Sequence, residues 1–397
     1  MQGRLTEDGC QVLSEKEHLK LTPVGKYVVM RNHSALIAFT IPEKESWKFH
    51  IIASHSDSPS FKIKEIPEIV VEKTYVKLNV EKYGGMLMAP WFDRPLSIAG
   101  RVIVRKDGKL EEKLIDFDRN LVMIPNLAIH MNREANSGVS YNPQKDMLPL
   151  FSMGGSDVSL QKLLSTQLDV EEKDILSHDL FLYNRMEGSI WGAENEFASS
   201  ARLDDLQCAF ASLKGFLGAQ KQDCIAVHCV LDNEEVGSGT KQGAASTFLK
   251  DTLLRINSGL GRTYEEYLMT LADSFMISAD NAHALNPTYT DQADPLNHPL
   301  LNKGNVIIYN ANQKYCTNAV SAAVFRDLRD RACVPWQTLV NRSDIPGGST
   351  LGNISNTQVP MNTVDIGLPQ LSMHSPYETA GVRDTEYFVK AAKEFFA

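Results

Sequence analysis

Apolar and polar positions follow three textures along this chain. Between Lys26 and Lys48 the runs "YVVM" and "ALIAFTI" are separated by turn residues such as Asn32, His33 and Pro42, and "FHIIASHSD" follows, so strands of one sheet are predicted before Ser58. From about Ser60 to Glu194 short β-rich runs ("IVVEKTYVKLNV", "SIAGRVIVR", "KLIDFD", "LVMI") lie between Gly, Pro and Asn turns, with one helical part near Val158 to Ser165. Beyond Phe197 the order becomes helix, strand, helix, strand. "LDDLQCAFASLKGFL" puts Leu203, Leu206, Phe210, Leu213 and Leu217 at helical spacing, which predicts that this face is buried. "CIAVHCVL", "FMISAD" and "NVIIYN" read as strands, and "AVSAAVFRDLRDRA" and "DTEYFVKAAKEFF" as amphipathic helices.

Alternating helices and strands imply an α/β fold, an α/β/α layered sheet. The early strands are expected to join that sheet, so residues 1–59 and 195–397 form one domain and the β-rich residues 60–194 are inserted in it. A length of 397 residues suits two domains, or three, better than one core. No internal repeat and no low-complexity tract is evident.

Composition narrows the function classes. With 43% hydrophobic and 22% charged residues the chain is ordinary and globular, and no window nears the roughly 18 apolar residues of a membrane span. The segment Met1 to Cys10 carries Arg4, Glu7 and Asp8 before any apolar run, unlike a secretory leader, so cytoplasmic residence is the expectation. Six scattered cysteines with no C-x-x-C pair read as buried thiols. A net charge of -9 without a Lys/Arg cluster argues against nucleic acid as a partner.

In an open α/β sheet, ligands collect beyond the carboxyl ends of strands. Here those ends carry His55 and Asp57 ("IIASHSD"), Glu234 and Glu235 ("VLDNEEVGSG") and Asp280 ("ISAD"); Asp204 stands at a helix start ("ARLDD") and His374 in "LSMHS". Each has a plainer explanation taken alone: a surface His/Asp pair, a helix N-cap at Asp204, a turn at Asp280, a core histidine at His374. Adjacent Glu234 and Glu235 after an apolar strand fit a solvated turn poorly. Together the set satisfies the needs of two divalent metals, which require a bridging carboxylate and a mixture of His and carboxylate ligands, with one carboxylate left over as a base.

These residues lie in stretches ("HIIASHSDSPSFKIK", "SARLDDLQCAFASL", "DNEEVGSGTKQGAAS", "SADNAHALNP", "GLPQLSMHS") whose order and context, from about Lys16 to Phe396, resemble the aspartyl aminopeptidase and vacuolar aminopeptidase I type of metallopeptidase, in the clan with co-catalytic zinc. The resemblance implies that Asp204 bridges two metals, zinc by family habit, with cobalt or manganese also accepted by such a site. His55 and Asp280 would complete one metal and Glu235 and His374 the other. Glu234 would be the general base, and Asp57 would fix the His55 ring. A cis peptide bond after the bridging aspartate is also implied, and Asp205 stands where relatives often have Asn.

The same resemblance makes the insertion a dimerisation domain through which subunits build a dodecamer, with His130 ("NLAIHMNR") entering a neighbouring subunit's site. Relatives usually begin with a longer N-terminal helix, and the start at Met1 implies either weaker subunit packing or a misplaced start codon. Where acid-preferring members carry a lysine facing the first side chain of the substrate, this chain has Ile308, which implies peptides with a neutral or hydrophobic first residue. Backbone amides at Gly348 and Ser349 ("IPGGSTLG") are candidates for holding the main chain of the substrate. Other readings stand beside this one: an aspartyl aminopeptidase with acidic preference, a carboxypeptidase or deacylase of the same clan, and an inactive oligomeric scaffold.

Overall fold

The computed structural model describes every residue except 44–47, 155–157 and 221–222. The described residues divide into two compact units: Met1–Ser58, Ser189–Met373 and Glu378–Ala397 make the first, Pro59–Gly188 and His374–Tyr377 the second. Residues 189–194, which the sequence pattern placed in the insertion, run with the first unit, because the strand Ser189–Trp191 pairs antiparallel with Phe197–Ser200.

The first unit is built on a nine-stranded sheet in the order Gln11–Leu13, Lys26–Arg31, Ala35–Thr40, Ile225–Leu231, Phe49–His55, Phe275–Ala279, Asn362–Gly367, Asn305–Tyr309, Trp336–Val340. Its central strands, Ile225–Leu231, Phe49–His55, Phe275–Ala279 and Asn362–Gly367, are mutually parallel. They read as continuous apolar runs because both faces are covered. Successive residues point to opposite faces: Ile52, Ala226 and Ile277 join a core with Leu213, Phe216, Phe325, Phe388 and Phe396 of the helices Leu203–Gly218, Ala319–Arg331 and Asp384–Phe396. Ile51, Val227 and Met276 face Phe248, Leu253, Ile256 and Tyr267 of the helices Phe248–Gly259 and Tyr264–Ala272. Three layers result.

One expectation fails in the helix Leu203–Gly218. Of the five spaced apolar residues only Leu213 is buried, while Phe210 is 39% exposed and lies under the guanidinium of Arg4. Beside Leu213 and Phe216, the buried positions are mostly small: Cys208, Ala209, Ala211, Ser212 and Gly215. Close approach decides this, since a β-carbon on Gly215 would collide with Ala392 of the C-terminal helix. Large residues on that face would hold the helices apart.

A smaller sheet of the same unit, in the order Ser189–Trp191, Phe197–Ser200, Glu378–Gly381, Pro369–Leu371, Ala282–His283, carries Gln370 and Glu378.

The second unit is a six-stranded antiparallel sheet in the order Lys109–Asp116, Leu96–Lys106, Ile175–Asn184, Ser60–Val71, Tyr75–Tyr83, Leu150–Met153. Its inner face packs Phe61, Leu78, Ile98, Val102 and Leu180 against Leu160 and Leu164 of the helix Leu160–Leu168. The Ser159 hydroxyl caps that helix by accepting from the Lys162 N–H.

Candidate metal centre

Strand order places the chemistry. His55 ends the strand Phe49–His55 directly beside Leu231, the last residue of its parallel neighbour, and Asp280 follows the strand on its other side. Three adjacent carboxyl ends therefore deliver His55, the Asp232–Glu235 stretch and Asp280 to one place. Asp204 arrives from the start of the helix Leu203–Gly218, where Asp204 and Asp205 depart from helical geometry and the bond between them is cis.

Local backbone chemistry explains why two glutamates can follow an apolar strand. After Leu231 the chain turns through Asn233 in the left-handed region (φ 62°) and makes a short 3-10 turn, Glu234–Val236. Gly237, at φ 92°, closes it, and its N–H donates to the Glu234 carbonyl at 2.8 Å. The Asn233 side-chain oxygen accepts from Thr240 and Gln242 at 2.8 and 2.7 Å, fixing the turn to the loop beyond. The carboxylate of Asp57 accepts the backbone N–H groups of both Glu234 and Glu235, at 3.0 and 3.2 Å. So Asp57 aims the two glutamates by their main chain.

His55 is 1% exposed. Its Nδ1 lies 3.1 Å from the carbonyl oxygen of Asp57 and 3.3 Å from the Asp57 carboxylate, so Nδ1–H has an acceptor there. Nε2 then points at carboxylates, 3.4 Å from Asp204 and 3.3 Å from Asp280. Burial works against a charge on this imidazole, but the charge of Asp280 and bonds to Asp204, Asp280 and Asp57 raise its pKa well above the usual value. Burial, then the charge of Asp280, pushes Asp204 upward, and the same two causes raise Glu234. Glu235 is pushed up to about 10 by burial and next by Asp204. Asp280 moves the other way: burial is outweighed by His55 and by the hydroxyl of Thr350.

Ligand-type atoms of His55, Asp204 and Asp280 all fall within 4.8 Å of one another, as do those of His55, Glu234 and Glu235. Buried and half-buried carboxylates crowded together, facing a ring nitrogen whose other nitrogen is bonded, are the donor set a divalent cation requires. The residues present therefore fit metal.

Several supporting residues had no signal in the chain. Thr350 donates to Asp280 Oδ2 at 2.7 Å; Gln370 donates to Asp204 Oδ2 at 3.3 Å; Glu378 accepts the Asp204 N–H at 3.0 Å. Asp205, buried, accepts the His55 N–H at 3.1 Å. Thr350 directly follows Ser349 in a turn that the pattern had singled out; Gln370 and Glu378 sit in strands distant in sequence, and only the small sheet brings them here.

The remaining candidates are placed as follows. His374 opens the stretch His374–Tyr377, which belongs with the second unit, where its carbonyl accepts from the Leu87 N–H at 3.1 Å. His130 is exposed in a turn of the second unit. Ile308, 3% exposed, packs with Ala282, Val306 and Leu339. Gly348 and Ser349 are exposed, and the Ser349 hydroxyl donates to Asn353 at 3.0 Å. No helix of the described residues is long and apolar enough to cross a membrane.

Comparison with known proteins agrees with a hydrolytic metal centre. Residues 1–396 match the family described as "Aminopeptidase I zinc metalloprotease (M18)". The chain is 46% identical over 400 residues to "Probable M18 family aminopeptidase 2" of Clostridium acetobutylicum, covering 99% of this chain and 92% of that protein. Among solved structures it is similar to one titled "Cryo-EM structure of the Ape4 and Nbr1 complex" (TM-score 0.96, 36% identity, 100% of this chain and 81% of that one). It is also similar to "Structure of S. cerevesiae mApe1 dodecamer" (TM-score 0.86, 25% identity, 100% and 91%). A match across nearly the whole chain, on a fold that gathers the expected ligand types at three neighbouring strand ends, places this protein in the M18 family of zinc metallo-aminopeptidases.

Proposed function

We propose that this M18 aminopeptidase works with two divalent metals and removes the first residue of peptides with a free amino terminus, favouring neutral or hydrophobic first residues over Asp and Glu. The observation that carries the reading is the gathering of buried His55 and Asp204 with half-buried Glu234, Glu235 and Asp280 where adjacent strand ends meet the start of the helix Leu203–Gly218. In it, Asp204 would be shared by the two metals, His55 and Asp280 would complete one, and Glu235 and His374 the other; zinc is the expected metal, and cobalt or manganese suits the same carboxylate-rich set.

When bound, the metals supply Lewis-acid polarisation of the scissile carbonyl and offset the mutual repulsion of the carboxylates. Glu234 takes a proton from the attacking water as the oxygen–carbon bond forms, and returns it to the departing amine nitrogen as the carbon–nitrogen bond breaks. Burial suits Glu234 to this role because it raises the affinity of the carboxylate for that proton. Asp57 holds the backbone of both glutamates and faces the His55 ring. Backbone amides at Gly348 and Ser349 bind the main chain of the substrate. Ile308, in an apolar cluster with no cation, underlies the neutral preference.

The second unit serves self-association, and His130 from it enters the site of a neighbouring copy. Support comes from the mApe1 relative, whose structure is of a dodecamer, and from apolar side chains that the sheet leaves exposed. Hydrolysis of Leu, Met, Ala, Asp, Glu and acetyl-Leu arylamides, with chelator and then added metal, tests the reading. Chelator-sensitive cleavage of Leu or Met, with none of the blocked substrate, is expected. Preference for Asp or Glu would overturn the Ile308 argument, and cleavage of acetyl-Leu would overturn the free-amine requirement.

A further inference from the structure

Gln370, which donates to Asp204 Oδ2 at 3.3 Å, is itself held by a buried row of side-chain amides. Asn281, the residue after Asp280, donates from Nδ2 to Gln370 Oε1 at 2.7 Å and to Gln207 Oε1 at 3.1 Å. Its own Oδ1 accepts from the Cys208 thiol at 3.2 Å, and Gln207 Nε2 donates to the Thr385 hydroxyl at 2.9 Å. Asn281, Gln370 and Gln207 are 6%, 1% and 8% exposed, so the row lies out of water. It ties together the helix Leu203–Gly218, the link between the strands Phe275–Ala279 and Ala282–His283, the strand Pro369–Leu371 and the helix Asp384–Phe396, all of the first unit.

These bonds fix which way each amide points. An amide side chain offers a carbonyl oxygen at one end and two N–H donors at the other. Both N–H groups of Asn281 meet carbonyl oxygens, and its own oxygen meets a thiol. Turned over, Asn281 would set its oxygen against the oxygens of Gln207 and Gln370. Gln370 is constrained in turn: with Oε1 taken by Asn281, Nε2 is the end left for Asp204. Reversed, Gln370 would press a carbonyl oxygen on the Asp204 carboxylate and an NH2 group on that of Asn281. In a buried site such mismatches are costly, because no water repairs them.

We propose that Asn281 is a positioning residue for the metal centre: by holding Oε1 of Gln370 it keeps the Gln370 N–H directed at Asp204, and so fixes the orientation of the carboxylate that both metals would share. The assignment rests on the two-metal reading above and extends it from the ligands to the residue that sets their support. Carboxylates that bind metal are in turn hydrogen-bonded, and loss of such a partner typically weakens metal binding about 10–100-fold. Asn281 also adjoins Asp280 in the chain. An effect transmitted through the backbone of Asp280 would persist without the Gln370 amide, whereas the proposed route would not.

The test is a double-mutant cycle read as zinc affinity, by competition with a chromophoric chelator, on the wild type, N281L, Q370M and the double variant. Leucine and methionine are close in size to the residues they replace and lack the amide. N281L and Q370M are each expected to weaken zinc binding about tenfold, and the double variant about tenfold as well rather than about 100-fold. Losses that multiply would overturn the proposal, as would wild-type affinity in either single variant. Visible absorption of the cobalt-loaded protein gives a second reading: N281L should alter it as Q370M does, and a change in only one of them would overturn the route through Gln370. Should the variants fail to reach the melting curve of the metal-free wild type, a crystal structure of the metal-loaded wild type decides. Gln370 bonded to both Asn281 and Asp204 there supports the proposal, and Gln370 turned away from Asp204 overturns it. A wild type that binds no zinc would overturn the two-metal reading and this proposal together; zinc bound without coupling between positions 281 and 370 would overturn this proposal alone.

Discussion

The two units break the ordinary partition of polar and apolar groups in opposite directions. The first unit buries charge: His55, Asp204, Asp205, Glu378, Asp365 and Asp384 are all buried. The second keeps its ion pairs at least partly in solvent (Lys62 and Arg101 on Asp179, Arg185 on Asp118) but exposes large apolar side chains, with Ile66 82% and Leu114 79% accessible. Buried carboxylates are costly unless something compensates them: Asp384 accepts the N–H groups of Asn302 and Gly304, Asp365 accepts that of Cys316, and for the groups around His55 the compensation is the proposed metal pair. Exposed apolar side chains gathered on strands are ordinary singly and informative in groups. Leu110 and Leu114 share one face of the strand Lys109–Asp116. The contrast fits the proposal in which one unit carries the chemistry and the other the contact between copies.

Four changes would break or sharpen that contrast. Glu234→Gln should retain metal, measured by elemental analysis, while kcat falls by about 10²–10⁴; near wild-type turnover would remove Glu234 as the base. Replacing Leu110 and Leu114 together by Glu should weaken self-association about 100-fold or more, since each leucine withdrawn from water contributes roughly 1.5–3 kcal/mol. Sedimentation would show smaller species with an unchanged circular-dichroism spectrum; an unaltered assembly would show that this face is not a contact. Thr350→Val deletes the hydroxyl on Asp280 and should weaken metal binding about 10–100-fold in a chelator competition, with the fold intact. Unchanged metal affinity would make the Thr350 bond incidental.

The smallest effect is on pH dependence. In the metal-free chain Glu235 is raised from 4.5 to about 10, and Asp204, Glu234 and His55 are also raised. The folded state then holds more protons than the unfolded state above the unfolded pKa values, so these groups contribute most at low pH and their contribution is lost as pH rises toward the folded values. Asp280, lowered, acts oppositely: its contribution is present above its unfolded value and lost on acidification. The net expectation is that Tm of metal-free protein falls by roughly 2–4 °C or more between about pH 5 and pH 9, and that added metal restores more of it at the alkaline end. A metal-free Tm that rises across that window would show that the carboxylates are not strained in the empty fold.

Much of the proposed metal-binding set was legible as a set of candidates because its residue types are unusual where they stand. Apolar runs that end in His-Ser-Asp, Asp-Asn-Glu-Glu and Ala-Asp are poor surface turns, and alternation of helices and strands predicts that such ends meet at one edge of a sheet. Strand order decided the rest. The chain does not state that Ile225–Leu231 and Phe275–Ala279 flank Phe49–His55; that adjacency brings Asp280 within 3.3 Å of His55, and the start of the helix Leu203–Gly218 brings Asp204 within 3.4 Å.

What the sequence by itself determined is local: which segments are strands or helices, where buried-type charge interrupts them, and that the middle of the chain has a different periodicity. Only the tertiary structure showed that Asp57 holds the two glutamates by their backbone, that Thr350, Gln370 and Glu378 brace the aspartates, and that Phe210 turns outward while small residues of its helix pack inward. The reason is physical. Periodicity reports which side of an element is apolar, whereas hydrogen bonds between distant segments and the distance between packed helices depend on how those elements meet, which no local window contains.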